Sequence, residues 1–148
     1  MSRSGYSDDI DQWDLIKWRG AVASAMGSKR GQAFLLEMWR AIDALPEPKL
    51  IANELVEKDG AVCAMGAVGK QRGIDMSALD PENIEGVAGT FGINEKLAME
   101  IAYMNDEGGA YNETPEDRHA RMKKWIEVNL KPVDIVEIEE PSTPTEPK

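Results

Sequence analysis

The sequence predicts a mainly α protein: a compact bundle of five or six helices with a small β-hairpin near residues 53–64. Three observations carry this reading. Apolar residues recur at helical spacing in separate runs, most regularly Phe34, Met38, Ala41, Ile42 and Leu45. Helix punctuation divides the runs, with Ser28, Asp80-Pro81-Glu82, Asn94 and Thr114-Pro115-Glu116 as starts and Gly27, Gly73 and Gly92 as stops. A length of 148 residues with 42% apolar content also suffices for one domain with its own core, assigned to residues 1–131.

The first helix is expected from Asp8 to Met26, capped by Ser7, with Asp8, Asp9 and Asp11 at the positive end of its dipole. Its two apolar stripes, Leu15, Trp18, Val22 and Ala25, then Trp13, Ile16 and Ala23, predict a central helix packed on two sides. The second helix runs from Lys29 to Leu45 and stops before Pro46 and Pro48. Leu55-Val56 and Ala61-Val62-Cys63 around Gly60 read as the hairpin, with an all-helical alternative broken at Gly60. The stretch Ala64–Arg72 is a small-residue helix in which Gly66 and Gly69 admit close approach of another element. A fourth helix follows Asp80 as N-cap and buries Ile84, Val87, Ala88 and Phe91. The fifth carries Leu97, Ala98, Ile101, Ala102 and Met104, and Asn105–Gly109 is a loop. The sixth starts at Thr114 and buries Met122, Trp125, Ile126 and Leu130. Residues 132–148 form an acidic, proline-rich tail expected to be disordered, although Val133, Ile135, Val136 and Ile138 would also suit an edge strand.

Composition narrows the function classes. One cysteine, Cys63, excludes an internal disulfide and a four-cysteine zinc site. No run of about 18 apolar residues is present, so no membrane span is expected. The N-terminal residues lack an apolar signal core, and the expected location is cytoplasmic. The net charge is −10, and the acids of the tail explain only part of it: without residues 131–148, 22 acids still face 15 bases. Such a chain is repelled by phosphate at long range, which disfavours nonspecific nucleic-acid binding.

Little catalytic chemistry is indicated. His119 lies on the line of Met122 and Ile126 and reads as a packing histidine, with a general base as the alternative. Cys63 sits among Val62, Ala64 and Met65 as a small hydrophobe. Asp8, Asp9, Asp11 and Asp14 on the first helix, with Asp106 and Glu107 in the loop, are the candidate acidic protein-binding residues; their spacing matches no calcium loop. Ser28, Lys29 and Arg30 open the second helix as a candidate anion site, or as a capped turn. Gly66–Gly73 is not a phosphate loop, because Lys70 is followed by Gln71. Arg118, Arg121, Lys123 and Lys124 read as a solvated face paired with Glu116, Asp117 and Glu127. Four tryptophans, Trp13, Trp18, Trp39 and Trp125, read as core, and any that is exposed becomes an interface anchor.

Ser2-Arg-Ser-Gly-Tyr-Ser-Asp-Asp, Trp18-Arg-Gly-Ala-Val, Lys29-Arg-Gly-Gln-Ala-Phe, Leu50-Ile-Ala, Gly73-Ile-Asp-Met, Leu79-Asp-Pro-Glu, Tyr103-Met-Asn-Asp-Glu and Glu113-Thr-Pro-Glu follow one pattern. It resembles a family of uncharacterised small proteins found in phages and prophage-bearing bacterial genomes. The resemblance covers nearly all of residues 2–130 and excludes the tail. Met26-Gly27-Ser28 departs from the basic turn of that pattern, which weakens the anion site. The family has no known activity, so no catalytic residue is carried over and no cofactor is implied. The resemblance implies a phage accessory protein in a bacterial cytoplasm that binds a host protein.

The leading expectation is therefore a noncatalytic binder or inhibitor of a host macromolecule, with an acidic face standing where nucleic-acid phosphates would sit. It requires acids that are not evenly interspersed with bases. The alternatives are a nucleic-acid accessory protein using Lys29, Arg30, Arg118, Arg121 and Lys124, and a small enzyme with a carboxylate or metal site. Self-association is compatible with each.

Overall fold

The computed structural model describes residues 3–4 and 12–132. Among these, the elements in chain order are α1 (Gln12–Gly27), α2 (Lys29–Asp43), α3 (Ala64–Arg72), a 3-10 turn (Met76–Ala78), α4 (Ile84–Phe91), α5 (Glu95–Glu107) and α6 (Pro115–Asn129). The mainly α expectation holds. The expected N-cap Ser7 and the tail beyond Pro132 lie outside the described residues.

Two helices organise the core. α2 packs on α1, α3 and α6, and α5 packs on α1, α3, α4 and α6. The α2 stripe buries Phe34, Leu35, Met38, Ala41 and Ile42, and α5 contributes Leu97, Ala98, Ile101 and Ala102. Each large side chain buried this way stabilises by roughly 1.5–3 kcal/mol. Phe34 meets Phe91 edge to face at 6.2 Å between ring centroids. The Arg72 guanidinium lies 5.7 and 5.8 Å from the two centroids. It also donates to both carboxylate oxygens of Glu37 and to the Phe91 carbonyl. One arginine thereby joins α2, α3 and α4.

Local signals fix most helix ends. Ser28 Oγ accepts the Gly31 amide at 3.0 Å and Asn94 Oδ1 accepts the Lys96 amide at 2.7 Å, as their sequence positions predict. Thr114 and Asp117 form a reciprocal capping box with Pro115 at the first helical position. α3 is closed by Gly73 at φ 74°. A Cβ on Gly66 would collide with the Leu55 carbonyl oxygen, so glycine is what lets α3 press against the preceding backbone.

Four expectations fail locally. The hairpin near residues 53–64 is not formed: among the described residues there is a single antiparallel bridge, Val56 to Val62, and no strand. The pairing ends at once because Cys63 is already the N-cap of α3, its Sγ accepting the Gly66 amide at 3.3 Å. α4 is capped by Asn83, not Asp80, whose carboxylate instead accepts the Glu82 amide in the turn before it. Asn105, Asp106 and Glu107 are not a loop but the last turn of α5. Finally, α1 is peripheral: Val22 is its only residue in the buried core among those described. Its two apolar stripes need two covering surfaces, and the body supplies one.

Candidate functional site

α1 turns an apolar stripe away from the body. On it Trp13 is 72% exposed and Ile16 56%; Leu15, on the Val22 stripe at the start of the helix, is 40% exposed. Trp18 and Ala25 are half-buried on the opposite side, with Lys96 Nζ 4.5 Å from the Trp18 ring centroid. Trp39 and Trp125 are half-buried against the core, so Trp13 is the tryptophan that the fold leaves open. Large apolar side chains clustered at one exposed place mark a docking surface more often than isolated ones do.

A shallow groove of about 380 Å³ lies between the second half of α1 and the end of α6, lined by Arg19, Val22, Met26, Glu100, Trp125 and Lys131 among others. Its floor is fixed by Gln32. The Gln32 amide donates to the Met26 and Asn129 carbonyls at 2.9 and 3.0 Å and accepts the Lys131 amide at 2.8 Å. That side chain ties the end of α1 to the end of α6.

A second groove of about 570 Å³ runs between α1 and the start of α5. Ser28 and Arg30 line it together with Asn94 and Lys96. The structure thus brings two of the three anion-site candidates to one groove; Lys29 is exposed beside them on the first turn of α2.

The remaining polar chemistry is internal. At the C-terminal end of α5, the Arg3 guanidinium grips Asp106 through two hydrogen bonds of 2.6 and 2.8 Å. The two side chains are only 4% and 2% exposed. Asp106 also accepts the Asn53 backbone amide and an Asn105 Nδ2–H. Asn53 holds φ 72° to present that amide, the only positive φ outside glycine among the described residues. Burial pushes the Asp106 pKa up, but the hydrogen bonds and charge of Arg3 outweigh it and hold the carboxyl below its ordinary value. For Arg3, burial favours loss of the proton, and the neighbouring Cys63 sulfur and Asp106 carboxylate more than reverse this.

Next to this pair, Arg118 and Arg121 of α6 cap α5 across the interface. Arg118 donates to the Asn105 and Leu50 carbonyls, and Arg121 to the Met104 and Asn105 carbonyls. Both pair with Glu113, whose carboxyl Arg121 holds below its ordinary pKa against the opposing effect of burial. α5 has no basic residue in its own last turn, and these two arginines supply the positive charge its dipole favours. The solvated basic face read on α6 is therefore largely absent. Arg118 and Arg121 point inward, and Lys123 bonds Asp43 while lying over the Trp39 ring.

The candidate acids separate accordingly. Asp106 is inaccessible, Glu107 and Asp14 are exposed, and Asp8, Asp9 and Asp11 lie outside the described residues. His119 Nε2 lies 3.1 Å from the Ile42 carbonyl and links α6 to α2. Cys63 is buried. No group of three His, Cys, Asp or Glu converges among the described residues. No helix among them is long and apolar enough to cross a membrane. Compared with protein-family models, curated proteins and solved structures, the chain finds no match in any of the three.

Proposed function

We propose that this protein is a noncatalytic binding protein whose contact surface is the outer face of α1, with a host protein as its partner. The observation that carries the reading is the exposure of Trp13 beside Ile16 on one stripe of α1, while the opposite stripe buries Val22 among the described residues. A tryptophan side chain presents about 150–250 Å². At roughly 25 cal/mol per Å², covering most of it contributes a few kcal/mol, the size expected of an interface anchor.

The acidic-face form of the idea is narrowed. Asp106 is held by Arg3, and Glu37, Asp43, Glu100 and Glu113 each lie against a lysine or arginine. These five acids are spent on ion pairs within the fold and are not available to stand in for phosphates. The net charge of −10 acts instead on association, speeding encounter with a basic protein without forming the contact itself. The nucleic-acid alternative loses Arg118 and Arg121 to the end of α5.

The test is affinity capture from bacterial lysate, with and without nuclease, using the native chain and Trp13→Ala/Ile16→Ser. The reading expects a stoichiometric protein that survives nuclease and is lost with the double variant. Capture that vanishes with nuclease, or that the double variant retains in full, overturns it.

A further inference from the structure

We propose that α1 is a latched strap: it opens from α2 and α5 as one unit while the rest of the fold stays closed, and the Arg3–Asp106 pair is its latch. The use of this opening in partner binding rests on the reading above; its geometry does not.

α1 is lightly buried. Val22 is its only residue in the buried core among those described, with Ala25 and Met26 partly buried against that core. α2 alone buries Phe34, Leu35, Met38, Ala41 and Ile42. Undocking α1 therefore uncovers little apolar surface, and elements of that kind open at a fraction of the free energy of the whole fold.

What holds α1 is a short set of separate fastenings. At its C-terminal end the Ala25 carbonyl accepts the Ser28 hydroxyl and the Met26 carbonyl accepts the Gln32 amide. Along its length a half-exposed Arg19 reaches Glu100 at 3.5 Å, and Lys96 lies over the Trp18 ring. The Arg3–Asp106 pair differs in kind, with two charge-assisted bonds of 2.6 and 2.8 Å shielded from water.

The position of that pair makes it a latch. α1 passes to α2 through Ser28 alone, so this end is the hinge. α1 runs antiparallel to α5: Ala25 shares a groove with Asn94 and Leu97, whereas Arg19 meets Glu100. Its start therefore lies toward the C-terminal end of α5, where Asp106 holds Arg3. Only eight positions of chain separate Ser4 from Gln12. Sixteen helical residues at about 1.5 Å each put ~24 Å between the hinge and that end. The strongest fastening thus sits at the free end of the lever. Opening turns Val22, Ala25 and Met26 outward beside Trp13 and Ile16, the two-sided form that a partner's groove can enclose.

Native-state hydrogen exchange on the full chain, with no partner present, tests the strap separately from the partner reading. The proposal expects the α1 amides to exchange through one shared opening, with a lower denaturant dependence than the slowest amides of α2 and α5. Arg3→Ala should speed α1 exchange about 100-fold, the equivalent of a lost buried partner. Arg72→Ala removes bonds to Glu37 and the Phe91 carbonyl and touches nothing on α1. It should speed the slowest α2 amides about fivefold or more and leave the α1 rates unchanged. Three results would overturn the strap. The α1 amides could exchange only together with the slowest core amides. Arg3→Ala could change the α1 rates by less than about threefold. Arg72→Ala could speed α1 as much as α2, an outcome that decides the matter even if Arg3→Ala fails to fold.

Discussion

Replacing Arg3 by alanine isolates the polar pair that pins the N-terminal residues to the end of α5. Two charge-assisted hydrogen bonds of 2.6 and 2.8 Å disappear, and a carboxylate that is 2% exposed loses its counter-ion. Removing one partner of a buried pair typically costs about 3–5 kcal/mol. Asp106 keeps the Asn53 and Asn105 donors, which places Arg3→Ala at the lower end, about 3 kcal/mol. For a chain of this length that lowers Tm by roughly 6–12 °C, at about 2–4 °C per kcal/mol. Asp106→Ala should cost less, because a freed arginine reaches water more easily than a buried carboxylate does, and a double-mutant cycle should return a coupling of about 1.5 kcal/mol or more. The pH dependence gives an independent sign. In the native protein Asp106 binds its proton less tightly than in the unfolded chain. Its contribution is therefore complete above the unfolded pKa of about 3.9 and is lost as pH falls through the lower folded value. In Arg3→Ala the unpaired buried carboxyl is raised instead, so the deficit relative to native should shrink as pH approaches about 4. Calorimetry and urea titration across pH 3–7 measure both. A deficit below about 0.5 kcal/mol at pH 7, the usual range of a neutral surface change, would refute the buried pair.

Further expectations follow from the packing. Gly66→Ala drives a methyl into the Leu55 carbonyl and should cost about 2 kcal/mol or more, read by thermal melting, whereas an equivalent change at open Gly89 should be near neutral or stabilising. Gln32→Leu leaves two carbonyls and one amide without their partner and should cost about 2–4 kcal/mol, with faster hydrogen exchange at Lys131. Glu113→Gln removes the anion between Arg118 and Arg121 and should weaken the α5–α6 junction by about 1–3 kcal/mol. The acid side of the stability profile should then flatten, because the Glu113 carboxyl lies below its ordinary pKa only when folded.

How far the sequence foretold this structure depends on the range of the interaction. Ser28, Asn94, Thr114 and Gly73 act within a turn of themselves, and they mark real helix ends. The α2 stripe is legible because one side of that helix meets several neighbours. Misreadings arise where distant residues decide. Asp106 looks like a surface acid until Arg3, 103 positions away, is seen upon it. Arg118 and Arg121 resemble a wet face because nothing in their own helix reveals that the carbonyls of α5 lie above them. The apolar stripes of α1 are legible, but periodicity reports which side chains are apolar, not how many surfaces exist to cover them. The same limit hid Trp13, whose hydrophobicity suits a core and an interface equally.

The most direct test of the α1 reading is calorimetric titration of the captured partner with the native chain and with Trp13→Ala. A buried tryptophan anchor is worth about 2 kcal/mol or more, which predicts an affinity loss of about 30-fold with the melting temperature unchanged. An affinity within about threefold of native would mean that the partner is held elsewhere, and that the exposed face of α1 is not the binding surface.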